Sequence, residues 1–165
     1  VAEKKRPAYR IGMGYDVHPF VENRPLILGG ITIPYRQGLA GHSDADCLVH
    51  AICDALLGAI SAGDLGSHFP DSDPRYKDVE SLLLLKRVTE MVEQKGFKIA
   101  NIDATIVAQA PQLAPYRPRM EEKIAQTVGI EQGQVNVKAT TTERLGFIGR
   151  EEGIAAYAVV LVEGR

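Results

Sequence analysis

The chain has 165 residues, 19 Lys and Arg against 21 Asp and Glu, and a net charge of -2. That near-neutral balance argues against a nucleic-acid binder, which needs a basic excess to meet phosphates. With 45% hydrophobic and 24% charged residues it reads as one soluble globular domain, long enough to bury a core without staples, and its apolar runs (Leu82–Leu85, Ala155–Val162) are too short to span a bilayer.

In chain order, residues 1–9 read as a flexible N-terminal arm ahead of a single domain over 10–165. The arm opens Val1-Ala2-Glu3-Lys4-Lys5 and fits a native extension or the stump of a cleaved presequence. Tyr9 to His18 alternates, with Ile11, Met13, Tyr15 and Val17 on one side and Gly12, Gly14, Asp16 and His18 on the other. Leu26–Leu28 and Ile31–Ile33 flank Gly29-Gly30, a two-residue hairpin signal.

A helix is expected from Ser43, with Asp46 three residues on in a capping-box arrangement. Its buried stripe is Leu48, Ala51, Ile52, Ala55, Leu56 and Ala59. A second helix runs from about Val79 to Lys95, stopped by Gly96. Phe97 to Gln109 returns to strand. Pro115 and Pro118 open a third helix ending near Gly129, and Val135–Ala139 and Ile154–Val162 are the last strands. The fold class expected is α/β (α+β-like): a single domain with a mixed sheet and helices packed on one face. Cys47 and Cys53 lie about 120° apart on one helix, so they do not bridge, and reduced thiols in a cytosolic compartment are expected.

Asp16 and His18 share a strand face with two glycines, so a carboxylate and an imidazole converge beside open space. On the Ser43 helix, with Leu48 at zero, Asp46, His50 and Asp54 fall at about 160°, 200° and 240°, opposite the apolar stripe. A solvent face normally shows Lys, Glu or Gln; this one shows short ligating groups. His50 joined to Asp16 and His18 makes a two-His, one-carboxylate metal site with an open position, the catalytic pattern for zinc. Asp46 or Asp54 would then orient the His50 ring. The same residues also read as acids complementing a helix dipole beside a solvated His50. Residue chemistry alone leaves both readings standing.

His42 and Ser43 sit where free helix N–H groups attract anions, although Ser43 also reads as a plain cap. Asp64-Leu65-Gly66 and Phe69-Pro70-Asp71-Ser72-Asp73 form an acidic loop, either a set of turns or a reader of sugar hydroxyls. His68 reads as an exposed loop histidine. Thr140-Thr141-Thr142-Glu143, with Arg150 downstream, suits a diphosphate and a divalent cation, or simply a β-forming run. No phosphate-binding G-x-x-x-x-G-K-[ST] loop, dinucleotide fingerprint, G-x-S-x-G elbow or C-x-x-C motif is present, so nothing points to a covalent nucleophile or thiol redox chemistry.

Five motifs occur in order: Gly14-Tyr15-Asp16-Val17-His18, Ala40-Gly41-His42-Ser43-Asp44-Ala45-Asp46, Phe69-Pro70-Asp71-Ser72-Asp73-Pro74, Ala108-Gln109-Ala110-Pro111 and Val137-Lys138-Ala139-Thr140-Thr141-Thr142-Glu143. Together, from about Arg10 to the C-terminus, the chain resembles the 2-C-methyl-D-erythritol 2,4-cyclodiphosphate synthases of the non-mevalonate isoprenoid pathway. The resemblance implies a homotrimer with active sites between subunits, and zinc on Asp16, His18 and His50. It implies magnesium or manganese on Glu143, and His42 and Thr141 as catalytic residues. The substrate-binding set it implies begins with Asp16, Val17, His18, His42, Ser43, Asp64, Leu65 and Gly66. It continues through Phe69, Pro70, Asp71, Ser72 and Asp73, then a cytidine pocket of Ala108, Gln109, Ala110, Pro111, Gln112, Leu113, Ala114, Thr140, Thr141, Thr142 and Glu143. Phe147 and Arg150 complete that set, and with Glu152 they correspond to positions facing a central channel.

The implied reaction is intramolecular: in 4-diphosphocytidyl-2-C-methyl-D-erythritol 2-phosphate the 2-phosphate attacks the β-phosphorus and CMP leaves. The substrate supplies its own nucleophile, in keeping with a chain that offers none. Gln112 stands where many relatives carry a basic residue, and the arm lies outside the resemblance. The implied setting is the bacterial cytoplasm, or the plastid stroma if the arm is a presequence stump; no membrane or nucleic-acid partner is expected. Two rival classes are a two-His, one-carboxylate iron oxygenase, which predicts ligands on barrel strands, and a non-catalytic trimeric scaffold with a structural metal.

Overall fold

A 13-residue strand, β1 (Tyr9–Val21), lies along the whole length of the last strand, β7 (Gly153–Gly164). Between them in the chain come β2 (Leu26–Leu28), β3 (Ile31–Ile33) and β4 (Gly38–Leu39), then α1 (Cys47–Ala59), α2 (Leu65–His68) and α3 (Ser81–Gln94). These are followed by β5 (Phe97–Val107), α4 (Arg117–Val128), β6 (Val135–Thr140) and α5 (Gly146–Gly149). The main sheet has the order β4-β1-β7-β5-β6, antiparallel except for the β5–β6 pair, and β2–β3 form a separate hairpin. The computed structural model describes residues 8–165; most of the expected arm, residues 1–7, lies outside them, and Tyr9 already pairs with Glu163.

The sheet has one packed face. α1 lies across β1 and β7, and α3 packs on α1 and α4. Ten of the thirteen α1 residues are buried, so the helix is apolar nearly all round, not only on the expected stripe, as suits a central helix. Its approach depends on two glycines: a Cβ built on Gly12 or Gly14 would lie 1.9 Å from the carbonyl oxygen of Ala55 or Ala51. On the opposite face no helix among the described residues covers the alternating partners; Ile11 is 73% and Met13 64% exposed, with Tyr15, Val17, Tyr157 and Val159 beside them. The hairpin turn is as expected, with Gly29 and Gly30 both at positive φ (60° and 72°), the primed geometry that favours glycine.

The start of α1 differs from the sequence expectation. The helix begins at Cys47, four residues after Ser43, and Asp46 is its N-cap, accepting from Val49 N–H. Ala45 at φ 58° turns the chain ahead of it. Ser43 is therefore not the cap. Asp46 is not on a polar ridge either: it is fully buried, and its carboxylate also accepts from Gly29 and Gly30 N–H. Burial, with Asp44 nearby, pushes its carboxyl up to about 6 against those three N–H bonds. It ties the hairpin to the helix start, and the hydrophobic wheel misplaced it because a wheel carries no information outside the helix.

The short elements β4, α2 and α5 were not anticipated, being too brief to show a period. His68 ends α2 half-buried, with its Nε2 2.7 Å from Ala62 O, and is not a free loop histidine. Both cysteines are free and buried, and Cys47 Sγ donates to Asp16 O. Among the described residues no helix is long and apolar enough to cross a membrane.

Candidate functional site

Asp16 and His18 project from β1 on the side that faces α1, and His50 meets them from the first turn of that helix. Asp16 Oδ2 lies 2.8 Å from His18 Nε2 and 3.2 Å from His50 Nδ1, and the two ring nitrogens are 3.2 Å apart. Donors around a tetrahedral zinc, each about 2.0 Å from the ion, stand about 3.3 Å from one another, so this triangle fits zinc with one position open. Each ring is anchored through its outer nitrogen. His18 Nδ1 is 2.8 Å from Ala40 O, and His50 Nε2 is 2.8 Å from Ser81 Oγ and 3.1 Å from Ser43 Oγ. Outer partners of this kind fix which nitrogen faces a metal. Among the described residues this is the one cluster of three or more His, Cys, Asp or Glu able to hold an ion.

The electrostatics of the triangle agree with its geometry. Burial alone would raise the Asp16 carboxyl, but hydrogen bonds and charge from His18 and His50 outweigh it and hold the group at about 2. Burial would likewise lower His18, yet its hydrogen bond to the Asp16 carboxylate, and that charge, raise it. A carboxylate ionised at all ordinary pH values beside two imidazoles is a site prepared for a cation.

The groups around the triangle are partly those expected. Ser43 is buried within 3.1 Å of His50, and His42 Nε2 is 3.1 Å from Asp73 O, which joins the second motif to the Phe69–Asp73 loop. Phe69 in that loop stacks edge-on against Tyr76. Asp64 caps α2, accepting from Ser67 N–H, and Asp54 accepts from Leu65 N–H at 2.7 Å. Asp46 meets His50 only through the helix backbone, and the carboxylates of Asp46 and Asp54 bond elsewhere, so the expectation that one of them orients the His50 ring is corrected. Ser81 does so instead, and Asp44 accepts from Ser81 N–H at 3.0 Å and from its hydroxyl. Arg24 holds the same loop from outside, donating to Gly41 O and Ser43 O. Ser81 opens a run of four leucines, where it reads as a helix-start residue; Asp44 lay inside a quoted motif, and no local signal links Arg24 to the site.

A second region lies where the parallel pair β5–β6 ends. Ala108, Gln109, Pro111, Gln112, Leu113 and Ala114 face Ala139, Thr140 and Thr141 across a cavity of about 260 Å³. Beyond it, Thr141 Oγ1 accepts from Glu143 N–H, Thr142 Oγ1 donates to Leu145 O, and Gln109 Oε1 accepts from Arg144 N–H. Glu143 is exposed at φ 52°. Phe147 is on α5, and Arg150 pairs with Glu152 at 3.1 Å.

The two regions are apart. β1 and β6 are three strand spacings from each other in the sheet order, about 14 Å at the usual interstrand distance. The ladder puts them at one end of the sheet, since Asp16 and Ile106 both pair with Ala156. The chain thus offers a triangle of possible ligands and a separate cavity.

Comparison with known proteins bears on both. The sequence model of the YgbB family matches residues 9–163. The chain is 63% identical over 153 residues to the 2-C-methyl-D-erythritol 2,4-cyclodiphosphate synthase of Syntrophobacter fumaroxidans, covering 93% of this chain and 96% of that one. Its fold matches the bifunctional IspDF of Campylobacter jejuni with a TM-score of 0.92 at 44% identity, over 95% of this chain and 42% of that longer one. It also matches the CDP complex of IspF from Plasmodium falciparum with a TM-score of 0.85 at 31% identity, over 98% and 99% of the two chains.

Proposed function

The chain belongs to the YgbB family, whose matched relatives are the 2-C-methyl-D-erythritol 2,4-cyclodiphosphate synthases, and from that membership we propose an active site assembled between the subunits of a homotrimer. The reaction is that of a cyclodiphosphate synthase of the non-mevalonate pathway, a lyase. 4-Diphosphocytidyl-2-C-methyl-D-erythritol 2-phosphate gives 2-C-methyl-D-erythritol 2,4-cyclodiphosphate and CMP, by attack of the 2-phosphate on the β-phosphorus. The observation that carries this reading is the Asp16–His18–His50 triangle.

We assign zinc to that triangle and magnesium or manganese to Glu143, and bound there the two ions supply Lewis-acid neutralisation of phosphate oxygens. The fit of the triangle to zinc rests on its three donor separations and its anchored rings. Glu143 is a lone exposed carboxylate, which suits magnesium, an ion that keeps several waters and shares substrate phosphates. Nothing in the chain need attack phosphorus, so its residues act by positioning. Ser43 and the His42 ring border the phosphates, with the 2-phosphate end against Phe69–Asp73. Asp64 and Gly66 take the ribose. The cavity at the β5–β6 end takes cytosine, through main-chain groups of Ala108–Ala114, and Gln112 leaves those groups intact.

The assembly follows from two features. His42 and Thr141 are assigned to one diphosphate, but Thr141 ends β6 while the triangle is on β1, about 14 Å away in the same sheet. A neighbouring subunit placing its β6 end against the triangle resolves that separation. The uncovered face of Ile11, Met13, Tyr15, Val17, Tyr157 and Val159 is the surface such a neighbour would bury. Phe147, Arg150 and Glu152 then face the trimer axis. The compartment we propose is the cytoplasm, on the free thiols and the bacterial relatives.

Phosphorus NMR of the zinc- and magnesium-loaded protein with the cytidyl substrate tests the function. Equimolar CMP and cyclic diphosphate are expected. Intact substrate, from protein shown to hold zinc and bind CMP, would overturn it.

A further inference from the structure

The carboxylate of Asp44 meets three donors at two helix starts. It accepts from Asp46 N–H at 3.1 Å, from Ser81 N–H at 3.0 Å and from the Ser81 hydroxyl. α3 has no side-chain cap of its own, since Glu80 makes no capping bond; Asp44 supplies it from another part of the chain. Ser81 is fully buried, and its Oγ also lies 2.8 Å from His50 Nε2.

A serine hydroxyl has one proton. An ionised carboxylate can only accept, so the bond between Ser81 Oγ and Asp44 uses that proton. Ser81 therefore cannot donate to His50; it must accept from it. The proton of the neutral imidazole is then on Nε2, and Nδ1 carries its lone pair toward Asp16 and His18. Without this chain the opposite tautomer competes, because Nδ1 is 3.2 Å from the Asp16 carboxylate, a good acceptor for an Nδ1–H. Ser43 Oγ, at 3.1 Å from the same Nε2, could donate to an unprotonated Nε2 and so favour that wrong form.

We infer that Ser81, with Asp44 behind it, is a positioning residue that holds His50 in the Nε2–H tautomer and so presents Nδ1 as a metal ligand. The inference rests on the zinc assignment for its consequence, but not for the tautomer, which is a property of the metal-free chain. Two effects follow. The ring is preset for a cation before one arrives, and the hydroxyl proton of Ser43, not needed by His50, is free for a phosphate oxygen. Partners of this kind contribute about ten- to a hundredfold to metal affinity.

The test uses ¹⁵N-histidine-labelled full-length protein, metal-free, at mildly alkaline pH, with zinc affinity measured separately by chelator competition. Wild type is expected to show His50 protonated on Nε2. S81A should bind zinc ten- to a hundredfold more weakly and show a mixture of tautomers. D44A removes the acceptor and frees the Ser81 proton to point at the ring, so it should move His50 toward Nδ1–H and weaken zinc in the same direction. A folded S81A with wild-type tautomer and wild-type zinc affinity overturns the inference. If S81A does not fold, D44A decides it alone: an unchanged His50 overturns it, and so does a changed tautomer with unchanged zinc affinity. Wild-type protein that binds no zinc would instead sink the metal assignment, while the tautomer readout still decides the role of Ser81.

Discussion

Gly14 and Ala51 touch backbone to backbone: a Cβ on Gly14 would sit 1.9 Å from the Ala51 carbonyl oxygen. Gly14 is two residues before Asp16, and Ala51 is next to His50. The contact that packs β1 on α1 is therefore also the one that sets the distance between a strand ligand and a helix ligand. Gly14→Ala must push the helix away, because the clash is with backbone and no side chain can yield. We expect about 3 kcal/mol of lost stability in thermal unfolding, together with loss of zinc in the fraction that stays folded. A Gly14→Ala protein that holds zinc as tightly as wild type would show that the helix position does not set the site.

The Asp16–His18 pair should add most to the stability of the metal-free protein at weakly acid pH. Asp16 is depressed to about 2 from an unfolded value of 3.8, so its contribution is present above about 4 and is lost as the pH falls toward 2. His18 is raised above 6.5, so its contribution is complete below that value and is lost as the pH rises through the raised pKa. Both shifts report the same ion pair, counted once, worth about 2 kcal/mol. The difference in denaturant midpoint between wild type and Asp16→Asn should rise, level and fall again with pH, because the raised Asp46 carboxyl lowers both proteins alike between about pH 4 and 6. Zinc replaces the proton on His18, so the loaded protein should lose the alkaline fall and keep the acid one. An alkaline fall that zinc leaves untouched would show that the group responsible lies outside the triangle.

Met13 and Val159 are register partners on the uncovered face of the sheet, 64% and 47% exposed. Met13→Asp sets a charge where the proposed neighbour would bury an apolar strand. Sedimentation should show trimers of the wild type and monomers of the variant. The monomer should keep zinc, because Asp16, His18 and His50 come from one chain, but should have no synthase activity, because the β6 end of a neighbour is missing. A wild-type protein that is monomeric and active would remove the need for a shared site.

Much of this site was legible because its ligands lie on regular elements. Period two put Asp16 and His18 on one face with Gly12 and Gly14, and period 3.6 put His50 opposite much of the α1 core. The errors came at the element ends. Ser43, Asp44, Ala45 and Asp46 looked like one helix start, yet each does something different: Ser43 approaches His50, Asp44 caps α3, Ala45 turns at positive φ and Asp46 caps α1. The α3 cap by Asp44 and the hairpin bonds of Asp46 depend on partners 16 to 37 residues away, which no local pattern contains. The resemblance pointed to Ala108–Ala114, which lines a cavity, where periodicity could not, since that segment carries no chemistry in its side chains beyond two glutamines.

Zinc and the second ion should separate under mutation. His50→Ala removes one of three zinc ligands and leaves Glu143, on a loop after β6, unaltered; Glu143→Gln does the reverse. The His50 ring bonds polar groups and is not part of the apolar core, so His50→Ala should fold, with zinc bound at least a hundredfold more weakly and activity lost. Glu143→Gln keeps the size of the side chain but removes the charge that attracts magnesium, and its effect on zinc should be small. The measurements are zinc content after dialysis and the magnesium concentration giving half-maximal rate. In Glu143→Gln the zinc content should stay at the wild-type level while the magnesium requirement rises about tenfold or more, as expected on losing one charged ligand among several oxygens. A magnesium requirement unchanged by Glu143→Gln would place the second ion on substrate oxygens alone, and equal loss of both metals in either variant would mean that the two regions are coupled through the subunit contact.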